Sequence, residues 1–200
     1  MSDQKRPYRK QLRAEQEQQT RLRITESAVA LHGTLGPSRT SMSAIADHAG
    51  VRRSTLYRHF ADEAAVFGAC AAHWASANPL PDLRHWAAID EPEDRLGTAL
   101  VELYGFYARN EQLLSNLLRD EQTVAVVGQL FGGFHEYLDG ARQPLMRGRR
   151  ARGAARERQV AAIGHALAFA TWQSLVREQQ LTDEQAVDLM SRLVAAATAR

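Results

Sequence analysis

The sequence predicts an all-α protein. Its 200 residues are 44% hydrophobic, and the apolar residues recur every three or four positions along most of the chain, which is the period of an amphipathic helix. Strand signals are few. Proline and glycine interrupt the pattern at separate points, most clearly in the Asn-Pro-Leu-Pro run at 78–81, and so divide the chain into helices. The length allows one large or two small domains.

Composition narrows the possible functions. The single cysteine, Cys70, excludes an internal disulfide framework and a multi-cysteine metal site. No two histidines are spaced i,i+4, so we expect no metal. The sequence also lacks a phosphate-binding glycine loop, a serine elbow and a paired-carboxylate signature. We therefore expect neither an enzyme nor a bound cofactor.

The N-terminus is polar and has no apolar run of the kind a signal peptide contains. No stretch of about 18 apolar residues occurs, so no membrane-spanning helix and no membrane partner are expected. These two features predict a cytoplasmic protein.

The first helix should begin near Leu22, where an apolar stripe starts that continues through Ile24, Ala28, Leu31 and Leu35. Residues 1–20 precede it as a basic extension rich in Arg, Gln and Glu. Arg13 and Glu17, and Glu17 and Arg21, are spaced i,i+4, which favours a helix.

Residues 40–60 predict two short helices joined by a tight turn. Thr40 and Ser41 can cap the first helix with their hydroxyl groups. Gly50 ends it, because glycine adopts the left-handed conformation without steric cost. The apolar side chains at helical spacing form one buried face: Met42, Ile45, Ala46 and Ala49 in the first helix, and Leu56 and Phe60 in the second.

The other face of the second helix is polar and basic. It carries Arg52, Arg53, Ser54, Thr55, Tyr57, Arg58 and His59. Arginine can pair with guanine through two hydrogen bonds, and hydroxyl groups can hold phosphates. This arrangement predicts a helix-turn-helix whose second helix enters the DNA major groove. We expect Arg52 and Arg53 to read bases, with Ser54 and Thr55 beside them, and Tyr57, Arg58 and His59 to hold the backbone. An ordinary helical hairpin with a solvated basic face is the alternative.

The charge distribution agrees with this prediction. Residues 1–60 carry 11 basic and 5 acidic side chains, whereas residues 61–200 carry 14 and 18. A basic head on an acidic body suits a DNA contact at one end of the chain. The basic extension, with Lys5, Arg6, Arg9, Lys10 and Arg13, is then either an arm that reaches an adjacent minor groove or a disordered, solvated tail.

The sequence resembles the DNA-binding domain of the tetracycline-repressor (TetR) family. The residues that carry the resemblance are Ile24, Ala28, Leu31, Gly36, Ser41-Met42, Ile45-Ala46, Ala49-Gly50-Val51 and the run from Thr55 to Phe60. The resemblance implies that the second helix reads bases, that Tyr57 touches a phosphate, and that Ser41 and Met42 also belong to the DNA-binding set. Where the family has a lysine near the start of the fourth helix, this chain has Glu63, which would repel a phosphate.

A fourth helix is expected over 62–76, and body helices over 91–108, 111–118, 123–145, 155–177 and 183–199. The helix from Ala155 carries two apolar stripes and must be buried on both sides. The resemblance implies a domain division into the basic extension (1–20), a three-helix helix-turn-helix DNA-binding domain (21–66) and a helical ligand-binding and dimerisation domain (67–200). It also implies that the last two long helices pair with their copies in a homodimer.

In such a family the body holds a small-molecule pocket. The aromatic and aliphatic side chains that could line it are Trp86, Leu103, Tyr107, Leu114, Leu118, Phe131, Phe134, Phe169 and Trp172. Core packing is the competing interpretation for each. Gly132-Gly133 could leave room for a ligand or for a neighbouring helix. Because few charged residues fall on the inward stripes, we expect a mostly apolar effector.

The resemblance thus implies a ligand-responsive DNA-binding transcriptional regulator. It would act as a repressor, bind a palindromic operator in double-stranded DNA as a homodimer, and be released by its effector. Two alternatives stay open: a structural DNA binder without an effector, and a helical enzyme with a degenerate DNA-binding head. The arginine-rich loop from Arg147 to Arg158 is either a solvated loop or a second contact for nucleic acid or anionic lipid.

Overall fold

The computed structural model describes the backbone of residues 5–198, and the side chains of residues 8–129 and 131–198. Residues 1–4 of the predicted basic extension lie outside the described residues. Within the described range the chain is helical and contains no strand. The all-α prediction is confirmed.

Ten α-helices follow one another: α1 (Lys5–Thr34), α2 (Met42–His48), α3 (Arg53–His59), α4 (Glu63–Ala77), α5 (Leu83–Ala88), α6 (Pro92–Asp120), α7 (Ala125–Met146), α8 (Gly153–Leu167), α9 (Phe169–Gln173) and α10 (Asp183–Ala196). These ten helices are those of residues 5–198, and a 3-10 turn, Pro37–Arg39, lies between α1 and α2. A π-helical turn, Ser174–Glu178, follows α9.

The chain divides into two compact units. The first contains the chain up to Pro79 together with Gln112–Leu130, and the second contains Leu80–Glu111 and the chain from Phe131 onward. The first unit therefore includes all of α4, which the predicted boundary at residue 66 divides. Both α6 and α7 begin in one unit and end in the other.

The core of the first unit is formed by α1 to α4. Ile24 and Ala28 of α1 pack with Ile45, Ala46 and Ala49 of the α2 segment, with Leu56 and Phe60 of the α3 segment, and with Val66 and Cys70 of α4. The small side chains of α2 permit close helix packing. As predicted, the Ser41 hydroxyl caps α2 and accepts a hydrogen bond from the amide of Ala44. The Asp62 carboxylate caps α4 in the same way and accepts from the amide of Ala65.

Helix α1 begins far ahead of Leu22, at Lys5. No proline lies between Tyr8 and Thr34, its one glycine, Gly33, stands in the last turn, and the Arg, Gln, Glu and Ala residues of this segment have high helix propensity. Pro7 is tolerated because it stands in the first turn. Residues 8–19 are exposed on every side of this helix. The extension is thus a solvated helix over its described part rather than a disordered tail.

Two predicted body helices, 91–108 and 111–118, are one continuous helix, α6. The polar pair Arg109-Asn110 does not break it, because the side-chain amide of Asn110 donates to the carbonyl of Phe106 one turn back, at 2.9 Å. Helix α5 was not predicted. It is capped by Asp82, whose carboxylate accepts from the amide of Arg84 at 2.9 Å.

The predicted helix 155–177 is interrupted at Ala168, whose backbone is extended. The interruption leaves carbonyl groups of the last turn of α8 without intrahelical partners. Tyr104 and Tyr107 of α6 compensate, because their hydroxyl groups donate to the carbonyls of Ala166 (2.9 Å) and Leu167 (2.5 Å). Burial raises the pKa of both tyrosines, so these groups stay protonated as donors.

A charged side chain, that of Arg95, is completely buried in the second unit. Arg95 of α6 is 0% exposed and donates four hydrogen bonds to backbone carbonyls, those of Ile89, Asp90, Pro144 and Arg147. Its guanidinium group therefore ties the turn before α6 to the end of α7. Burial, followed by the charges of Arg147 and Arg149, lowers the pKa of Arg95.

Candidate nucleic-acid interface

The turn between α2 and α3 sets the direction of α3. Gly50 has a φ of 63°, in the left-handed region, and the amide of Val51 donates to the carbonyl of Ala46 at 2.9 Å. Leu56 is 0% exposed and Phe60 1% exposed in the core beneath α3. With one face of α3 fixed in the core, its other face is directed to solvent.

The solvent face of α3 carries the predicted base-reading residues. Arg52 occupies the N-cap position and is exposed, as are Arg53, Ser54 and Arg58. Arg53 and Tyr57 form a pair one helical turn apart: the guanidinium group donates to the Tyr57 hydroxyl at 3.3 Å and lies 5.5 Å from the ring centroid. Stacking on an aromatic ring restricts the arginine rotamers.

Four other predicted residues differ in accessibility. Ser41 is exposed and Thr55 is half-buried. Met42 is 8% exposed and packs in the core, so only its backbone is available to a phosphate. His59 is half-buried, and its Nε2 atom is shielded from solvent without a hydrogen-bond partner among the described residues. Burial, and then the charge of Arg58, lowers the pKa of His59.

Arg21 supports α3 from α1, and sequence reasoning did not single it out for this role. Its guanidinium group donates to the carbonyl of His59 at 2.5 Å and lies 4.0 Å from the centroid of the Phe60 ring. A cation at the end of a helix interacts favourably with the helix dipole. Arg21 is 38 residues from His59 in the sequence, so no local pattern could have revealed the contact.

The segment between α1 and α2 is held by the last turn of α6, within the same unit. The Asn116 amide donates to the carbonyl of Gly33 at 2.8 Å, and Arg119 donates to the carbonyl of Leu35 at 3.2 Å. The Asp120 carboxylate accepts from the amide of Ser38 at 2.9 Å and pairs with Arg119 at 2.9 Å. Although burial raises the pKa of Asp120, these hydrogen bonds outweigh it and lower the pKa below its ordinary value.

A buried histidine and the single cysteine meet between α1 and α4. The Nδ1 atom of His32 lies 3.3 Å from the Sγ atom of Cys70, and the His32 ring packs on Phe67. Burial lowers the pKa of His32 to about 4 and raises that of Cys70 to about 12. Both groups are therefore uncharged near neutral pH, which agrees with an apolar core.

We expect His32 to make the first unit sensitive to mild acid. Between pH 6.5 and about 4 the unfolded chain binds a proton that the folded chain excludes, so stability is present above this window and is lost as the pH falls through it. The loss should be on the order of 2–3 kcal/mol. Denaturant unfolding at several pH values measures it.

His32→Leu should remove most of this dependence and leave the part that comes from the lowered pKa of His59, whereas replacement of the exposed His48 by glutamine should leave the dependence intact. Because the pKa of Asp120 is lowered, its titration changes the stability only at lower pH and does not mask that of His32. An unchanged pH profile in His32→Leu would assign the acid sensitivity to another group.

The residues predicted to line an effector pocket are buried or half-buried. Tyr107 contacts the rings of Phe134, Phe169 and Trp172 at centroid distances of 6.4, 5.3 and 6.0 Å. Phe131 and Phe134 are 5.0 Å apart. Seven of the nine residues belong to the second unit, while Leu114 and Leu118 belong to the first. The rings pack on one another in this state, and their role in ligand binding stays a prediction.

No described helix combines the length and apolar character that a membrane-spanning segment needs.

The family model that matches this chain covers part of the first unit. Residues 24–70, which contain α2, α3 and the contacts beneath them, match the family model of bacterial regulatory proteins, tetR family. A comparison with curated protein sequences finds no match.

Solved structures share the fold over most of the chain. A TetR-like transcriptional regulator from Rhodococcus sp. RHA1 aligns with a TM-score of 0.67 and 21% identity, over 90% of this chain and 96% of that chain. The transcriptional regulator FadR from Bacillus subtilis, solved in complex with stearoyl-CoA, aligns with a TM-score of 0.56 and 17% identity, over 89% and 97%. At these identities the likeness shows the fold alone.

Proposed function

We propose that this chain, whose residues 24–70 match the family model of bacterial regulatory proteins, tetR family, is a cytoplasmic transcriptional repressor that binds a palindromic operator as a homodimer. The observation that carries the proposal is the geometry of α3. One face is fixed in the core by Leu56 and Phe60, and the other presents Arg52, Arg53 and Arg58 to solvent. A short helix with this division is suited to the major groove.

The pairing of Arg53 with Tyr57 supports the assignment of roles. In the free protein the guanidinium group is already held on the outer face of α3 by the ring and the hydroxyl of Tyr57. Less side-chain entropy is then lost when Arg53 meets a guanine edge. Tyr57, 41% exposed, can turn its hydroxyl to a phosphate at the same time.

A second copy of the chain is proposed as the partner of the second unit. Leu189 and Leu193 of α10 lie one turn apart and are 37% and 50% exposed. Two exposed leucines on one helix face favour burial against another subunit. A C2 dimer would place two α3 helices at half-sites about 34 Å apart. Size-exclusion chromatography with light scattering tests this state.

We further propose that a small, mostly apolar effector binds the second unit and releases the protein from DNA. The fold is shared with FadR, whose structure contains stearoyl-CoA. This supports a ligand-binding role for α6, α7 and α9, the helices that carry the clustered aromatic side chains. Since the Tyr107, Phe169 and Trp172 rings are in contact, a ligand would have to separate them. Such a ligand would shift the equilibrium by its preference for the opened state.

In vitro selection of fragments from the source genome tests the function. The purified chain should enrich one palindrome at about 150 mM salt, where nonspecific phosphate binding is weakened. Enrichment without symmetry or sequence preference would favour a structural DNA binder instead. Failure to retain any DNA, with or without a panel of apolar ligands, would favour the helical enzyme with a degenerate head.

Arg53→Ala should weaken binding to the selected operator by roughly 1–3 kcal/mol and relax specificity at one base position. The reason is that a bidentate contact to one guanine is lost while phosphate contacts remain. Fluorescence anisotropy with the operator and with single-base variants measures both effects.

Two variants serve as references for Arg53→Ala. Arg109→Ala removes an exposed arginine of the second unit and should leave DNA affinity unchanged. Tyr57→Phe should weaken all sequences about equally, because it removes a phosphate contact. An equal loss on operator and random DNA in Arg53→Ala would identify Arg53 as a phosphate contact.

We expect the basic extension to contact DNA in a different way from an arm that enters the minor groove. Residues 5–20 lie in α1, and a helix about 10 Å wide does not fit the minor groove, which is about 6 Å wide. We propose that Arg9, Lys10 and Arg13, all exposed, lie along the phosphate backbone beside the operator. Replacing these three by glutamine should lower the slope of log K against log salt by about 3. An unchanged slope would show that the extension is away from DNA.

A further inference from the structure

An open groove of about 860 Å³ lies on the second unit between α5, α7 and α8. Its volume falls within the range of sites for small organic ligands. Four arginines from three separate parts of the chain line it, Arg84, Arg142, Arg147 and Arg156, together with one carboxylate, Asp139. The lining thus holds three more arginines than carboxylates, in a unit whose sequence is otherwise acid-rich.

Three of the four arginines of the groove have a carboxylate partner, and all three ion pairs are exposed to solvent. Arg142 pairs with Asp139 at 3.1 Å, and Arg84 pairs with Asp82 at 3.2 Å with its side chain 93% exposed. Arg147 donates to the carbonyl of Ile89 at 3.1 Å and lies 3.9 Å from the carboxylate of Asp90, whose side chain is 99% exposed. The side chain of Arg156 is exposed and makes no hydrogen bond or ion pair among the described residues. A guanidinium group in this state is available to an oxyanion.

Arg142 is the arginine whose position is most restricted. Its guanidinium group lies against Gly164 of α8, so that a Cβ atom on Gly164 would be 3.0 Å from Cζ, Nε and Nη2. Its Nε atom is shielded from solvent and has no hydrogen-bond partner among the residues described. A buried donor without a partner is costly, and a ligand oxygen would satisfy it.

The apolar part of the lining indicates the rest of the ligand. Leu83 and Ala87 of α5, Met146 of α7 and Val160 of α8 contribute aliphatic surface beside the arginines. An inorganic anion would leave this apolar surface exposed to water, whereas an anion with a short hydrocarbon chain would bury it.

We propose that this groove binds a small amphipathic organic anion, with an oxyanion head, phosphate or carboxylate, between Arg142, Arg147 and Arg156 and an aliphatic body against α5 and α8. The bound anion would connect α5, α7 and α8. The site lies entirely in the second unit, and its test needs no DNA, so failure to bind DNA would leave this proposal unaffected.

Isothermal titration calorimetry of the full chain with a matched series of ligands tests the proposal. Octyl phosphate, octanoate and octanol share a hydrocarbon body and differ in head charge. Octyl phosphate should bind at least about tenfold more tightly than octanol, since charge-assisted hydrogen bonds are lost with the head. A phosphate site would favour octyl phosphate over octanoate, and a carboxylate site the reverse. Equal affinities for octyl phosphate and octanol would overturn the proposal.

Variants locate the site. Arg156→Gln should weaken octyl phosphate binding about tenfold, while Arg152→Gln, the same charge change at a residue outside the groove lining, should not. Gly164→Ala should also weaken binding, because the added methyl group displaces Arg142 without altering the charge. If Arg156→Gln and Arg152→Gln weaken binding equally, the attraction is one of general charge and the groove is not the site.

Discussion

Arg95→Met should lower the free energy of unfolding by about 3–5 kcal/mol. The methionine occupies a similar volume but donates no hydrogen bond. The carbonyls of Ile89, Asp90, Pro144 and Arg147 accept from Arg95 at 2.6–2.8 Å. Those of Asp90 and Arg147 would lose a buried donor, whereas those of Ile89 and Pro144 keep the guanidinium group and the amide of Arg147 as donors. An unsatisfied buried acceptor costs about 1–3 kcal/mol, so the loss of two such donors accounts for the expected total.

Denaturant unfolding followed by tryptophan fluorescence measures this loss, because Trp86 and Trp172 are fully buried in the same unit. Arg109→Met, an exposed arginine on the same helix, should change stability by less than about 0.5 kcal/mol. Arg95→Lys should be intermediate, because an ammonium group has three donors and lacks the planar fork. A loss below about 1 kcal/mol in Arg95→Met would show that water replaces the guanidinium group at little cost.

Gly36→Ala should lower the free energy of unfolding of the first unit by about 3–5 kcal/mol. Gly36 has φ 92° and ψ 156°, a conformation that other residues rarely adopt. Its added Cβ atom would also overlap the Nη2 atom of Arg119 and lie 2.8 Å from the Oδ2 atom of Asp120. Both side chains would have to leave the buried contacts that hold the segment before α2.

Gly33→Ala provides a control of opposite sign, three residues away. Gly33 is in the last turn of α1, and its Cβ would meet no atom within 4 Å. Alanine there should stabilise by roughly 0.5–1 kcal/mol through helix propensity and a less flexible unfolded chain. Thermal unfolding of the two variants should therefore shift in opposite directions. Similar stability for Gly36→Ala and the parent chain would mean that the loop relaxes to accept a side chain.

The helix-turn-helix could be predicted from sequence because its determinants are local. Ser41 and Asp62 cap the helices they precede, Gly50 supplies the left-handed turn, and Leu56 and Phe60 are one turn apart. The all-α class followed from periodicity for the same reason.

The other features of the fold and of the groove depend on contacts between residues that are far apart in the sequence. The interruption of α8 at Ala168 is stabilised by two tyrosine hydrogen bonds whose partners are 60 and 62 residues apart in sequence, so no local pattern predicts it. The groove gathers Arg84 with Arg142 and Arg156, whereas the sequence shows only an arginine-rich loop. The aromatic stripes were predicted as buried surface, and only the structure shows which of their rings contact one another.

The contact of His32 with Cys70 has a practical consequence. Cys70 is the single thiol of the chain, is 6% exposed and, with its pKa raised to about 12, is held as the unreactive protonated form. Alkylating reagents can then modify the folded chain only when α1 and α4 separate. The alkylation rate of the unmodified protein therefore reports how often its DNA-binding head opens. Mass spectrometry can measure this rate without any label or substitution.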